Sequence, residues 1–536
     1  MRFRSGRAQA GRALLAALSA VALTHSPARS AAAAERARAV AQGTRAWRVR
    51  HEREILSEFA ALLALPNVAK DSVHIERNAA AIVAMLERRG VAVRRLRLPD
   101  APPLVVGDVA PPRDGRTIGF YAHYDGQPAD TASWNGLPWT PVLRDPQGLE
   151  RAIEDPAPID PESRLWARSS GDDKAPIVAM LAALDALRAS GRKPAFGLRF
   201  VFEGEEEAGS PHLGAYLERY PQVLRPDAWI LCDGPVHQSG RPELAFGARG
   251  IASLEMTVYG PVRGLHDGHY GNWVPHPAAR LANLIASMRD DEGNIRIRGF
   301  DADVRPPSPA DLAALKEVPD VETALRGEFQ IGGTEGGGER LDALLMRPAL
   351  NVRGIQSGRV GARATNSIPT DAKASIDFRL VPDQTPVSVR ALVERHVEER
   401  GYTIVRTAPD SAARMAHPRL VLLEWGPGYP PARTPLDLPL SREIATLLAA
   451  IGRDPVRLPT LGGSIPMYLF QQPRDTPVIV LPIANHDDNQ HAPNENLRIQ
   501  NLWDGIEVFA TLFAEMSRQA AGSASRGPAR RSAADR

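Results

Sequence analysis

A single cysteine, Cys232, stands in 536 residues. No internal disulfide can form, and the fold must be held together by its core. Long apolar runs are also missing. No stretch reaches the roughly 18 consecutive apolar positions that a membrane-spanning helix needs, which excludes stable membrane insertion. Neither sign of charge is in surplus: 65 Lys and Arg against 63 Asp and Glu leave a net charge of +2. The basic residues are dispersed, without the stripe that a nucleic-acid surface requires. There is no twin arginine near the start and no internal repeat. Prolines (47) and glycines (44) are plentiful, as in a loop-rich chain long enough for two or more domains.

The two ends differ from the rest. Arg2, Arg4, Arg7 and Arg12 precede the apolar run ALLAALSAVAL, and SPARSAAAA then offers small residues to a signal peptidase. Residues 1–34 are therefore expected to be an export signal cleaved within 28–34, the flank order favouring this over a short amphipathic helix. The mature protein is expected in the periplasm or secreted. Cys232 lies too far downstream to be lipidated at such a site. Residues 519–536 are small, basic and without apolar period, and are expected to be a disordered tail.

Between the ends the pattern predicts an α/β fold. HEREILSEFAALLAL and ERNAAAIVAMLERRG carry apolar positions at helical spacing. From residue 116, RTIGFYAHYDG, FGLRFVFEGEEE, DAWILCDGP and DTPVIVLPIANHDD read as strands. Helices lie among them, in DDKAPIVAMLAALDALRASG and LWDGIEVFATLFAEM. That alternation implies a mostly parallel sheet covered on both faces. Residues 247–410 read differently: strand, helix, two strands, helix, strand. Thr385 can cap the second helix and Pro386 can open it. The order βαββαβ points to a ferredoxin-like unit, broken by an excursion of loops and short helices at 290–348. The larger domain would then be made of 35–246 and 411–518.

Polar clusters gather where the strands end. LRFVFEGEEEAGSPHL places Glu203, Glu205, Glu206 and Glu207 at the mouth of an apolar run. His123 and Asp125, Asp172 and Asp173, Asp233, and NHDDNQH occupy comparable places, where an open α/β sheet binds its ligands. Carboxylates so gathered raise one another's pKa, and a divalent metal relieves the repulsion. Imidazole with carboxylate oxygen suits zinc, and equally manganese or cobalt. His123 and Asp125, at i and i+2, point to one side of an extended segment, so one can ligate while the other orients it. Of the adjacent Glu206 and Glu207, one can bind metal while the other serves as general base.

Taken in order, HYDGQP, SGDDKAP, EGEEEAGS, LHDGHYGN, NSIPTDAKASIDFRLVPDQ, GGSIP and HAPNE resemble the zinc peptidase family of carnosinase, acetylornithine deacetylase, succinyl-diaminopimelate desuccinylase and bacterial glutamate carboxypeptidases (peptidase family M-twenty). The resemblance runs from about residue 45 to 515. It implies a di-zinc exopeptidase fold with an inserted lid domain, and two metals bridged by Asp172. His123 and Asp233 would complete one site, and Glu207 and His491 the other. Glu206 would be the general base, with Asp125 orienting His123. In the lid the resemblance makes His266 an oxyanion stabiliser for a partner subunit and Arg379 a clamp for a substrate carboxylate. Asn366, Gly463 and Ser464 would add hydrogen bonds. It also implies a homodimer formed through the lid. An aspartate at position 233 is typical of the family's dipeptidases. Two departures bear on substrate preference: ARSSGDDKAP lacks the usual Gly-Arg-Gly and has Ala175 in place of glycine, and the lid motif reads His-Asp-Gly for His-Ser-Gly.

The activity implied is metal-dependent hydrolysis of dipeptides or short peptides. An N-acyl amino acid deacylase or carbamate hydrolase shares the chemistry and stays open, as does a peptide- or metal-binding protein without turnover. Glu206 beside Glu207 speaks against the last, because a binder needs no base.

Overall fold

Apolar runs without alternation and runs with strict alternation build two different sheets in a computed structural model of the chain. It describes residues 27–112, 115–463 and 465–517, with the side chains of 27–30 left aside. The apolar run at 13–23, the expected tail and Ser464 lie outside the described residues. No described helix is long and apolar enough to cross a membrane.

The chain opens with helices α1 (Pro27–Leu63) and α2 (Ser72–Arg88). The Asp71 carboxylate caps α2 by accepting from the His74 N–H at 3.1 Å. Strands β1 (Ala92–Leu96), β2 (Leu104–Val109) and β3 (Thr117–His123) follow. Then come helix α3 (Lys174–Ala189) and strands β4 (Gly197–Glu203), β5 (Ala228–Leu231) and β6 (Glu243–Ala245).

Next the chain builds the smaller sheet. Its elements are β7 (Gly250–Tyr259) and α4 (Pro277–Met288), an excursion carrying α5 (Pro309–Glu317), α6 (Glu322–Phe329) and α7 (Leu341–Leu344), then β8 (Ala349–Gln356), β9 (Asp371–Leu380), α8 (Pro386–Glu399), β10 (Thr403–Val405) and β11 (Leu420–Trp425). The chain returns through β12 (Val456–Leu458) and β13 (Val478–Val480) and ends in α9 (Ile499–Glu515).

The large sheet runs β1-β2-β4-β3-β5-β13-β6-β12. Its centre, β4-β3-β5-β13, is parallel, and an antiparallel pair closes one side. Both faces of the central strands are buried. Phe120 and Phe200 pack against Phe509 and Phe513 of α9, while Tyr121 and Trp229 pack on Phe470 across the sheet. Burial on both faces explains why these strands read as continuous apolar runs.

The small sheet runs β8-β9-β7-β11-β10. Ala252, Leu254, Met256 and Val258 on β7, and Ala372, Ala374, Ile376, Phe378 and Leu380 on β9, form a core with Leu281 and Leu284 of α4 and with Val389, Val393 and Val397 of α8. Alternate residues, among them Glu255, Ser375, Asp377 and Arg379, belong to the face without helices, as the period of two dictates. Thr385 and Ser388 form a capping box on α8, with Pro386 at its first position.

The sequence predicted four strands here, ending at residue 410. The sheet has five, because β11 lies between β7 and β10, antiparallel to the first and parallel to the second. LVLLEW does not alternate, so nothing in it distinguishes membership of one sheet from the other.

Candidate metal centre

Five segments meet at one place. His123 is the last residue of β3. Glu206 and Glu207 follow β4 in a short turn, Asp233 follows β5, and Asp172 and Asp173 stand just ahead of the N-terminus of α3, where the helix dipole favours negative charge. His491 comes from the long loop after β13. This is the carboxyl edge of the parallel strands.

Two groups form there. Ligand-type atoms of His123, Asp173 and Asp233 all lie within 4.8 Å of one another, as do those of Asp172, Glu207 and His491. Asp172 faces both. Its Oδ1 is 2.8 Å from His123 Nε2, and its Oδ2 is 3.1 Å from His491 Nε2. Glu207 Oε2 is also 3.1 Å from His491 Nε2.

The charges are strained. Burial raises Asp233 to about 7 and Asp173 well above its ordinary value. Burial opposes the ionisation of Asp172, yet hydrogen bonds from His123 and His491 hold it well below the carboxylate range. His491 is pushed up to about 10 by Asp172 and then Glu207. It also sits at φ 59°, a left-handed conformation that costs a non-glycine residue about 1–3 kcal/mol and clusters at functional sites.

Asp173 Oδ1 is buried without a hydrogen-bond partner. An orphaned carboxylate oxygen beside an imidazole and two further carboxylates is what a divalent cation would satisfy. These donors fit a pair of such ions.

Asp125 is buried behind His123, its Oδ1 3.5 Å from the ring Nδ1. The same carboxylate accepts the backbone N–H groups of Glu206 (3.1 Å) and Glu207 (3.0 Å). One side chain thus fixes the ring and the turn that bears both glutamates. The Glu206 carboxyl has no hydrogen-bond partner among the described residues, and burial, followed by the charge of Asp233, raises it well above its usual range.

Only half of the quartet at the mouth of β4 serves this place. Glu203 is buried and accepts the Tyr121 hydroxyl at 2.6 Å, and Glu205 is paired with His212 at 2.9 Å. Attributing all four charges to metal binding is therefore corrected to Glu206 and Glu207. The other two are core and turn groups, and burial lifts Glu203 to about 8.

Three contributors were missed by the sequence reading. Glu495 is fully buried and accepts from the N–H groups of Ser169, Gly171 and Asp172, each at 2.9 Å, and from Arg168 Nη1 at 2.8 Å. It holds the loop that carries Asp172. Gly171 in that loop is required by space, since a Cβ there would lie 2.6 Å from Asp488 Oδ2. Gln490 donates to Asp172 Oδ2 at 2.8 Å and Gln127 to Glu207 Oε2 at 2.7 Å. Gln127 and Glu495 stood inside motifs already singled out, four residues after His123 and four after His491.

A cavity of about 780 Å³ opens over the site. Asp172, Glu206, Glu207, Asp233, His491 and Gly463 line it. His266, Asn366 and Arg379 do not. The His266 side chain is 54% exposed beside Asp267, with its ring 4.5 Å from that of His269. Asn366 is exposed next to it and accepts from the Asp267 N–H through its carbonyl. Arg379 Nε donates to Asp377 Oδ2 at 2.7 Å, its side chain 28% exposed.

The model of "Peptidase family M20/M25/M40" matches residues 119–515. The chain is 26% identical over 444 residues to Cys-Gly metallodipeptidase dug1 of Schizosaccharomyces pombe, covering 81% of this chain and 87% of the relative. It is 26% identical over 453 residues to Beta-Ala-His dipeptidase of Homo sapiens, covering 81% and 83%. An M20 family metallo-carboxypeptidase, Sso-CP2 from Sulfolobus solfataricus, has a similar structure, with TM-score 0.69 and 25% identity over 86% of this chain and 99% of that one. Human carnosine dipeptidase 1 shares the fold at TM-score 0.68, with 21% identity over 89% and 98% of the two chains.

Proposed function

The chain belongs to Peptidase family M20/M25/M40, and on that premise we propose that it is a di-metal hydrolase of dipeptides or other short peptides. One observation carries the reading. Asp172 sets one carboxylate oxygen beside each of two histidines on the floor of a cavity where Glu206 keeps a carboxyl without a partner among the described residues. Support also comes from two relatives that are themselves named dipeptidases.

His123 and Asp233 would hold one ion, with the orphaned Asp173 carboxyl beside them, Glu207 and His491 would hold the other, and Asp172 would bridge the two. Zinc suits these donors, as do manganese and cobalt. Bound there, such a pair supplies Lewis acidity to the scissile carbonyl and lowers the pKa of water. Glu206 accepts the proton that water gives up on attacking the carbonyl carbon, and returns it to the amide nitrogen as the C–N bond breaks. Asp125 keeps the Glu206 turn in register with the His123 ring throughout.

Arg379 would clamp the substrate's terminal carboxylate with its planar fork, His266 would donate to the oxyanion, and Asn366 and the Gly463–Ser464 loop would add hydrogen bonds. The first three stand apart from the cavity's lining, so this reading needs the small sheet to close, or a second copy to supply it in a homodimer. Residues 1–34 would direct export. Purified mature protein should then begin within residues 28–34, and an intact Met1 would exclude this.

The decisive experiment pairs metal content with amino-acid release from a dipeptide set. Glu206→Gln should retain bound metal while turnover falls about 10²–10⁴-fold. Unchanged turnover would remove Glu206 from the chemistry. Wild-type protein that binds metal yet cleaves only N-acyl amino acids would replace the dipeptidase by a deacylase.

A further inference from the structure

The cavity extends past the metal groups along the edge of the large sheet. Asp233 follows β5, and the next strands over are β13 and then β6. Strand β6 runs antiparallel to β13, with Ala245 opposite Val480. Its first residue, Glu243, therefore lies at the same edge as the metal ligands. Two strand spacings put it roughly 10 Å along the sheet from the strand that leads to Asp233. An extended side chain on a dipeptide held at the metals can cover that span.

Glu243 is only 5% exposed and lines the cavity. Its carboxyl has no hydrogen bond or ion pair among the described residues. Its oxygens are not sealed inside the protein but open to the cavity, where a group entering it can reach them. Burial, followed by the charge of Asp342, pushes this carboxyl up to about 8, and an arriving cation would offset that charge and favour the ionised form.

The neighbouring charges are already matched. Asp342, from the excursion between α4 and β8, lines the same cavity but is paired with Arg340 at 3.0 Å. Arg241 is paired with Asp454 at 2.6 Å. His237, also in the lining, accepts the Ser239 N–H on Nδ1, and burial, followed by Arg241, keeps its ring down at about 4 and neutral. Away from the metal groups and Glu206, Glu243 is a cavity carboxyl with no counter-ion among the described residues.

We propose that Glu243 ends a side-chain subsite for a cationic group, the ammonium or guanidinium of a basic residue in the substrate. This rests on the peptidase reading above and narrows its substrate class to dipeptides that carry a lysine- or arginine-like side chain.

The test compares kcat/KM for Lys-Ala and Ala-Lys with their norleucine, glutamine and Nε-acetyl-lysine counterparts, in wild-type protein and Glu243→Gln. Norleucine keeps the length and loses the charge, glutamine keeps a polar end, and acetylation removes the charge from lysine itself. Wild-type protein should favour lysine over all three by about tenfold or more in one orientation. In Glu243→Gln, lysine and norleucine peptides should come within about twofold of each other. Equal rates for lysine and norleucine in the wild type, a preference for glutamine, or a lysine preference that survives Glu243→Gln would each overturn the subsite. The acetyl-lysine comparison needs no variant, so equal rates for lysine and acetyl-lysine peptides overturn the subsite even if Glu243→Gln fails to fold, and Glu243→Ala then serves as the second variant. Cleavage of the neutral peptides without charge preference would overturn the subsite alone. Cleavage of no peptide would overturn the dipeptidase reading and the subsite with it.

Discussion

The two sheets answer the same sequence logic differently. On the large sheet, buried on both faces, the five residues named as metal ligands converge on one edge, each within hydrogen-bonding distance of another apart from Asp233, which joins through the 4.8 Å grouping. On the small sheet helices cover only one face, and the residues marked on and around it stay apart. His266, in a separate two-stranded ladder with Ser367, and Asn366 beside it lie at exposed positions, while Arg379 on β9 turns to Asp377. Enclosure is the difference. A parallel sheet between helices offers a polar group a single exit, the strand ends, so motifs at strand ends must meet. A half-covered sheet leaves its polar residues free to be satisfied by neighbours on their own face.

Substitutions can break or sharpen this contrast. The largest effect belongs to Glu495→Ala on the large-sheet side, which would leave three backbone N–H groups and Arg168 without their buried acceptor. Stability should fall by about 3–5 kcal/mol in denaturant titration, with activity down about 10–100-fold as Asp172 loses its support. An unchanged melting point with full activity would mean that the loop is held by something else.

Next comes Arg379→Ala on the small sheet. If Arg379 serves a substrate carboxylate, KM should rise about 10–100-fold, equivalent to the roughly 1.5–3 kcal/mol of a hydrogen bond to a charged group. A loss of stability without a change in KM would make it merely the partner of Asp377, and the contrast between the sheets would become one of function as well as geometry. The smallest effect is Thr385→Ala, which removes one half of a capping box. It should cost about 1 kcal/mol with kcat/KM unchanged, as thermal unfolding and a standard assay would show.

What was legible in the sequence follows the same line. The α/β layering, α8 with its cap and the polar clusters at the strand ends were readable, because periodicity, capping residues and strand-end motifs are local signals. The choice of His123, Asp172, Glu207, Asp233 and His491 from those clusters came from the family resemblance, and the structure sets Asp173 beside His123 and Asp233. Strand β11 was not, since a short apolar run carries no label for the sheet it joins. Glu203 and Glu205 looked like Glu206 and Glu207, but Tyr121 and His212, 82 and 7 residues away, take them out of the site. Glu495 was quoted within a motif yet without a role. Its importance comes from backbone N–H groups more than 300 residues earlier, and backbone donors have no sequence signature.

The excursion between α4 and β8 is clamped to the large domain by ion pairs, Asp311 to Arg433 at 2.9 Å and Glu317 to Arg457. Through Leu341, Asp342 and Leu345 it supplies one wall of the cavity, while no residue of either metal group comes from it. The metal groups and this wall are thus written in separate stretches of the chain. A change of side chain in that wall reshapes the cavity while leaving every metal-group residue in place, so the walls and the floor of this scaffold can vary independently.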